Sequence, residues 1–139
     1  MENESLKIWA MSKQDFFPQD MWEPLRGKLD KMPADNADAV ARTINLKNPS
    51  TTLLMSIFLG AFGIDRFILG DVGIGLLKLI ASSVSWVLGF VFAPFPFGVG
   101  LILHLAPLVG WVVDIFLCRK KTREVNYATI MKMIDAYSE

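Results

Sequence analysis

Hydrophobic positions are concentrated in one part of the chain, between Thr51 and Cys118. The flanking regions are polar, with apolar residues recurring at helical intervals. A chain that separates apolar from charged sequence in this way is typical of proteins that enter a lipid bilayer, where isolated charges are costly to bury. The pattern predicts an all-α membrane protein with two or three membrane-embedded helices, a short N-terminal helical head in the cytosol and a C-terminal amphipathic tail.

The same pattern divides the chain into three regions. Residues 1–47 are predicted to form the soluble helical head, residues 48–118 the membrane-embedded region, and residues 119–139 a basic juxtamembrane tail with a short helix. Ile130 and Ile134 lie on one side of that tail helix, which we expect to rest on the inner membrane surface. Because 47 residues bury only a small core, the head is expected to pack on itself, on the membrane or on a partner.

Three apolar segments make up the membrane region, at about residues 48–66, 72–92 and 97–118. The second and third are long enough to cross a hydrocarbon core of about 30 Å. The first reaches a workable length only if its terminal arginine extends to the interface. Two prolines within Ala93–Pro96 must interrupt the helix between the second and third segments, and Pro107 is expected to kink the third.

Basic residues flank the membrane region on both sides. Arg42 and Lys47 precede the first segment, and four basic residues follow the third between Arg119 and Arg123. The excess of positive charge on cytoplasmic loops then places both termini in the cytoplasm, which requires an even number of crossings. We therefore favour two crossings with one segment re-entrant over three crossings, provided that protein covers the re-entrant backbone.

The most informative string is FLGAFGIDRFILG, at residues 58–70. Its glycines permit a sharp turn or a close approach between backbones. Asp65 and Arg66 place an acid and a base at the end of an apolar helix, where neither should face lipid. One interpretation is a helix-end turn in which Arg66 anchors to phosphates and Asp65 caps the next turn; the alternative is a role in recognition or conduction.

This string resembles the transmembrane-two (TM two) domain family. The resemblance continues through Gly73–Leu79 and closes on Val109–Asp114, so that it covers roughly residues 48–118. It implies two membrane helices joined by a short loop bearing an aspartate-arginine-phenylalanine motif, with Met1–Lys47 as an additional soluble region. The motif residues that it implies are Gly60, Gly63, Asp65, Arg66, Phe67 and Gly70.

The sequence departs from that family in two places. Ile68 stands where the family usually has tyrosine, and Ala81–Pro107 replaces a short glycine-rich link. The inserted apolar stretch is the reason that both two and three crossings have to be considered. The family carries no settled biochemical activity, so the resemblance informs the fold more than the function.

Three further polar residues fall within the segments long enough to span. Lys78 is expected either to extend to the interface or to pair with an acid, and Asp114 to lie at the inner interface beside the basic tail. His104 is expected to bond to a neighbouring helix, although it could also titrate. Partners for these charges cannot be assigned from spacing.

A stripe of small residues occurs on the second segment, at Ala81, Ser85 and Gly89. Small residues four positions apart allow helices to approach closely. The stripe predicts a packing interface, either within the chain or between two copies.

Composition narrows the function. Fourteen basic and fourteen acidic residues give no net charge, which argues against nucleic acid as a partner. A single cysteine and a single histidine provide no metal set, and no nucleophile-base pair or phosphate-binding loop occurs, so neither cofactor nor enzymatic activity is expected.

The leading hypothesis is therefore an interaction or scaffold protein that presents cytosolic segments at the lipid bilayer, alone, as a homo-oligomer or with a membrane protein partner. The alternative is an oligomeric channel or transporter subunit whose path is lined by the intramembrane charges and His104.

Overall fold

The computed structural model describes residues 4–95 and 98–137; Pro96 and Phe97, where the third segment was predicted to begin, lie outside the described residues. Helices account for nearly all of the described chain, which contains no strand, and the predicted all-α class is confirmed. The helices are α1 (Glu4–Ser12), α2 (Trp22–Asp30), α3 (Ala34–Thr43), α4 (Pro49–Leu59), α5 (Ile64–Leu69), α6 (Val72–Val91) and α7 (Val99–Ala136).

The chain forms two compact units. The first, called the head unit below, comprises Met1–Pro49 and Lys120–Glu139, and the second, called the membrane unit, comprises Ser50–Arg119. Helix α7 therefore contributes its first part to the membrane unit and its last part to the head unit.

The core of the head unit is formed by α1, α2, α3 and the last turns of α7. Its buried apolar side chains are Ala10, Phe17, Trp22, Leu25, Leu29, Met32, Ala37, Val40, Ile130 and Ile134. The predicted separate tail helix is instead the end of the 38-residue α7, and Ile130 and Ile134 are buried in protein. The physical reason is that the short head buries little apolar surface on its own, and the apolar face of the tail completes its core.

A buried asparagine of α7 binds the non-helical segment that follows α3. The Oδ1 atom of Asn126 accepts from the Lys47 amide at 2.8 Å, and its Nδ2 donates to the Lys47 carbonyl at 2.7 Å and to the Phe16 carbonyl at 3.0 Å. The side-chain amide of Asn126 thus pairs with both the N–H and the carbonyl of Lys47, as the backbone of a neighbouring strand would. Three hydrogen bonds satisfy backbone groups that no helix pairs.

Among the described residues, α6 and α7 are the two helices that are long and apolar enough, by length and composition, to cross a membrane. The 20 residues of α6 extend about 30 Å, which equals the usual hydrocarbon thickness. Their outward surfaces are apolar, and Leu77 and Phe116 are among the most exposed side chains, at 69% and 80%. A surface of this kind is suited to lipid rather than to water.

The first apolar segment does not form one helix over residues 48–66. Helix α4 ends at Leu59, a 3₁₀ turn covers Gly60–Phe62, and α5 begins only at Ile64. The 11 residues of α4 extend only about 16 Å, too short to cross the hydrocarbon core.

Candidate functional site

Two glycines in the left-handed conformation bracket α5. Gly63 has φ of +79° and Gly70 has φ of +90°, values that other residues rarely adopt. At Gly63 a side chain would also lack room, because its Cβ would lie 2.8 Å from the Gly75 carbonyl oxygen and 3.1 Å from the Lys78 Cβ atom. This glycine sets both the turn into α5 and the close approach to α6.

Two further glycines make space for aromatic rings. A Cβ on Gly75 would meet the ring of Phe67 at 3.1 Å, and a Cβ on Gly60 would meet Trp111 at 3.0 Å. The Trp111 indole also donates from Nε1 to the carbonyl oxygen of Ser56 at 2.8 Å. The string at residues 58–70 therefore packs against both spanning-length helices, with one glycine-aromatic contact to each.

Four charged side chains meet within the membrane unit, and we call them the charge cluster: Asp65, Arg66, Lys78 and Asp114. Arg66 and Lys78 each donate to Asp114, one to each carboxylate oxygen. Asp65 lies 3.6 Å from the Arg66 guanidinium and 3.9 Å from the Lys78 ammonium. The cluster joins α5, α6 and α7.

The charge cluster is shielded and neutral. Side-chain exposure is 1% for Asp65, 11% for Asp114, 15% for Arg66 and 18% for Lys78. Two positive and two negative charges cancel, which offsets much of the desolvation that each charge would suffer alone. Both cations are engaged within the unit, since Arg66 and Lys78 each donate to Asp114.

The N-cap positions of α5 and α6 are Gly63 and Asp71, and Asp65 lies one residue inside the start of α5. Its Oδ1 atom is buried, and among the described residues it accepts no hydrogen bond. Asp65 thus contributes a negative charge to the cluster. Asp114 is 8% exposed and accepts from both cations of the cluster.

A proline inside α7 is matched by a serine on α6. Pro107 has no backbone N–H, so the carbonyl of Leu103, four residues earlier, loses its helical donor. The Ser85 hydroxyl donates to that same carbonyl oxygen. On the next turn of α6 towards its start, the Ser82 hydroxyl donates to the Ala61 carbonyl at 2.7 Å, in the turn before α5.

His104 is held by its own helix, not by the neighbouring one as predicted. Its Nδ1 atom lies 2.8 Å from the Gly100 carbonyl oxygen within α7. Its ring stands edge-on to Trp86 and Phe90 of α6, with centroids 4.7 and 5.1 Å away. The absence of a side chain at Gly89 makes room for this ring, since a Cβ there would overlap the imidazole.

The small-residue stripe is used within the chain at two of its three positions. Ser85 bonds to Leu103 and Gly89 packs against His104, whereas Ala81 is exposed. Ala81 lines an open groove of about 280 Å³ between α6 and α7, with Ala106 and Gly110 on the opposite side. Ser85 and Gly89 are therefore both engaged in packing within the chain.

Metal chemistry has no visible basis in the charge cluster. Within residues 4–95 and 98–137, no three histidine, cysteine or acidic side chains come together as a metal site. Both cluster acids face basic partners, which fill the positions that a cation would take. What the arrangement does chemically is to hold three helices through ion pairs.

These features together define a helical membrane protein, with two spanning-length helices and a shorter apolar element packed on them. A family model of the TM2 domain matches residues 45–116, which is more than half of the chain. The chain belongs to the TM2 domain family, as the sequence resemblance implied.

Two relatives share short stretches with the chain. The TM2 domain-containing protein biscotti of Drosophila melanogaster is 75% identical over 28 residues, which are 20% of this chain and 16% of that protein. A TM2 domain-containing protein of Caenorhabditis elegans is 44% identical over 45 residues, covering 30% of this chain and 25% of that protein. The chain thus matches a quarter or less of either relative's length. No solved structure gives a significant match.

Proposed function

We propose that this protein is a multi-pass membrane protein without catalytic activity that anchors its head unit at the cytoplasmic face, where that unit binds other proteins. In this proposal α6 and α7 cross the bilayer, while α4 and α5 enter it without crossing. Both termini are cytoplasmic.

The mutual pairing of the intramembrane charges carries this proposal. A conducting path or a catalytic site needs charged groups that are free to meet an ion, a proton or a substrate. Here Arg66 and Lys78 are both engaged by Asp114, and all four side chains of the cluster are largely shielded. Such an arrangement favours a structural role in holding α5, α6 and α7 together.

The distribution of basic residues supports the proposed topology. Arg42 and Lys47 precede α4, and Arg119–Arg123 follows the apolar part of α7. The connection between α6 and α7, by contrast, carries no charge. Positive charge on cytoplasmic flanks then favours a hairpin of two crossings, with α4 and α5 packed against it from the cytoplasmic side.

Cysteine accessibility in sealed vesicles tests the topology. Asn45→Cys, Phe95→Cys and Glu124→Cys are introduced singly into a Cys118→Ala background, which without an added cysteine serves as the control. An impermeant maleimide should label positions 45 and 124 from the cytoplasmic side and position 95 from the other. Labelling of 45 and 124 from opposite sides would show an odd number of crossings.

Ion flux in liposomes tests the anchoring role against the conduit alternative. The reconstituted protein should pass protons and potassium no faster than protein-free liposomes. Flux that appears with the wild-type protein and disappears with Asp114→Asn or Lys78→Met would contradict the anchoring role and support a channel or transporter subunit instead. Circular dichroism of each variant establishes that the helices are retained.

A further inference from the structure

A groove on the head unit lies between the end of α2 and the end of α7. Its volume is about 400 Å³, within the range of pockets that accept side chains or small ligands. The residues that line it and matter here are Lys28, Lys31, Met32, Ile134, Asp135 and Tyr137. We call it the α2–α7 groove.

The floor of the α2–α7 groove is apolar and fixed. Met32 and Ile134 belong to the head core and are 7% and 4% exposed, so their positions are set by the packing beneath them. Tyr137 stands at the edge of the groove, and its backbone carbonyl accepts from the Asn36 side chain at 3.1 Å. A concave apolar floor of this size accommodates a bulky apolar side chain.

The rim of the groove is cationic. Lys31 forms no ion pair with any residue in the described part of the chain. Lys28 lies 3.8 Å from Asp135, and these two side chains are 50% and 70% exposed. An exposed pair of this kind is weak and easily exchanged, so both ammonium groups are available to a carboxylate from outside.

We propose that the α2–α7 groove binds a segment of a partner protein that carries a bulky apolar residue flanked by acidic residues. The inference rests on the function proposed above, and it specifies the chemistry of the partner. The apolar residue fills the floor over Met32 and Ile134, and the acidic residues pair with Lys28 and Lys31. Binding thereby replaces the weak contact of Lys28 with Asp135.

An anionic membrane surface fits this site less well than a peptide. Lipid surfaces are contacted by convex basic faces whose apolar side chains protrude into the bilayer. Here the apolar residues lie at the bottom of a recess, and Asp135 interrupts the positive rim. Charge complementarity combined with concavity favours an acidic polypeptide.

The test uses the full chain in phosphatidylcholine nanodiscs. The probe is a short fluorescein-labelled peptide with one tryptophan and two leucines among glutamates, and the matched peptide has lysine in place of glutamate. Fluorescence polarisation should show saturable binding of the acidic peptide, with at least about tenfold weaker binding of the basic one. The combined variant Lys28→Glu with Lys31→Glu should weaken binding of the acidic peptide by about tenfold.

Two single variants separate recognition from damage to the fold. Asp135→Asn releases Lys28 and should tighten binding about twofold, a gain that a disturbed fold would not produce. Lys132→Glu reverses the charge of one exposed lysine of α7 outside the groove lining, half of the charge change of the combined variant, and should change the affinity by less than about twofold.

Three outcomes would overturn the inference. They are the absence of binding to the acidic peptide, equal binding of both peptides, and equal effects of the groove variants and Lys132→Glu. Protection of Lys31 from acetylation by phosphatidylserine nanodiscs but not by the acidic peptide would instead identify the membrane as occupant. None of these results changes the expected outcome of the cysteine-labelling and ion-flux experiments. The proposed topology and anchoring role are therefore tested independently of the groove.

Discussion

The Ser85 hydroxyl of α6 donates to the Leu103 carbonyl of α7, the acceptor that Pro107 leaves without a helical donor. A packing contact between two helices is thus also the repair of a defect in one of them. The cost of a proline inside a spanning helix is reduced because a neighbouring helix supplies the missing donor.

Removing the Ser85 hydroxyl should destabilise the α6–α7 pair only while Pro107 is present. Ser85→Ala is expected to lower the free energy of unfolding by about 0.6 kcal/mol, the usual size of such bonds between membrane helices. In a Pro107→Ala background the Leu103 carbonyl regains an N–H, so the same substitution should have almost no effect. A double-mutant cycle by unfolding in detergent micelles measures this coupling.

The control for this cycle is Ser83→Ala, because the Ser83 hydroxyl bonds to the Leu79 carbonyl of its own helix at 2.8 Å. It should behave alike in both backgrounds. An equal loss for Ser85→Ala with and without Pro107 would mean that the hydroxyl stabilises the pair in some other way.

Neutralising Asp114 should be far more damaging than neutralising a surface charge. Asp114→Asn leaves Arg66 and Lys78 facing a single acid, Asp65, and should cost about 3 kcal/mol of stability, as for other broken buried pairs. Adding Lys78→Met restores a neutral cluster and should recover part of that loss. Thermal unfolding of the single and double variants in the same detergent checks both expectations.

Lys120→Met provides the comparison for the charge cluster, since Lys120 is 78% exposed and pairs only loosely with Glu124, at 3.9 Å. It should leave the unfolding temperature almost unchanged. If the double variant were less stable than Asp114→Asn alone, the idea that charge balance stabilises the cluster would have to be abandoned.

A side chain at Gly63 should disrupt the turn before α5. Gly63→Ala forces a left-handed alanine and brings its Cβ against the Gly75 carbonyl, so we expect a loss of about 2 kcal/mol or more. Gly110→Ala is the matched control, because within the described structure its Cβ would meet no atom within 4 Å. The control should be neutral or stabilising, by up to about 1 kcal/mol. Unfolding in detergent measures both variants, and an equal loss of stability at the two positions would contradict the role given to Gly63.

Replacing Asn126 with aspartate should release Lys47 in the head unit. The substitution preserves shape but replaces an amide donor by an oxygen, which would face the carbonyls of Lys47 and Phe16. We expect a loss of about 2 kcal/mol, together with faster hydrogen exchange at the Lys47 amide. Exchange measured by NMR should be unaffected by Asn45→Asp, an exposed isosteric control in the same segment.

Helix α6 could be predicted from sequence because its signal is local, whereas the continuation of α7 through residues 119–136 was not predicted. The second segment was predicted at 72–92 and α6 covers Val72–Val91, since an uninterrupted apolar run of spanning length is followed by prolines. The break in the first segment was harder to predict. Glycines allow a turn but do not require one, and only packing against Gly75 and Lys78 shows why Gly63 turns.

Charge pairing could not be predicted, because partners depend on how helices far apart in sequence are brought into register. Lys78 and Asp114 are on different helices, and spacing alone leaves Asp71 as eligible a partner for Lys78 as Asp114, which the structure shows paired with both Lys78 and Arg66. The tail illustrates a different difficulty. An apolar stripe such as Ile130 and Ile134 looks the same whether lipid or protein covers it, and here protein does.

The charge cluster also bears on how such a chain is made. Ribosomal synthesis delivers Asp65, Arg66 and Lys78 before Asp114, so until α7 emerges the first three would carry one uncompensated positive charge. In the proposed topology, stable insertion of α6 therefore awaits α7, and the translocon would have to release the two as a hairpin rather than one after the other. A chain in which α7 has not yet joined α6 is therefore distinguished chemically from the folded protein, by an arginine and a lysine that still lack Asp114.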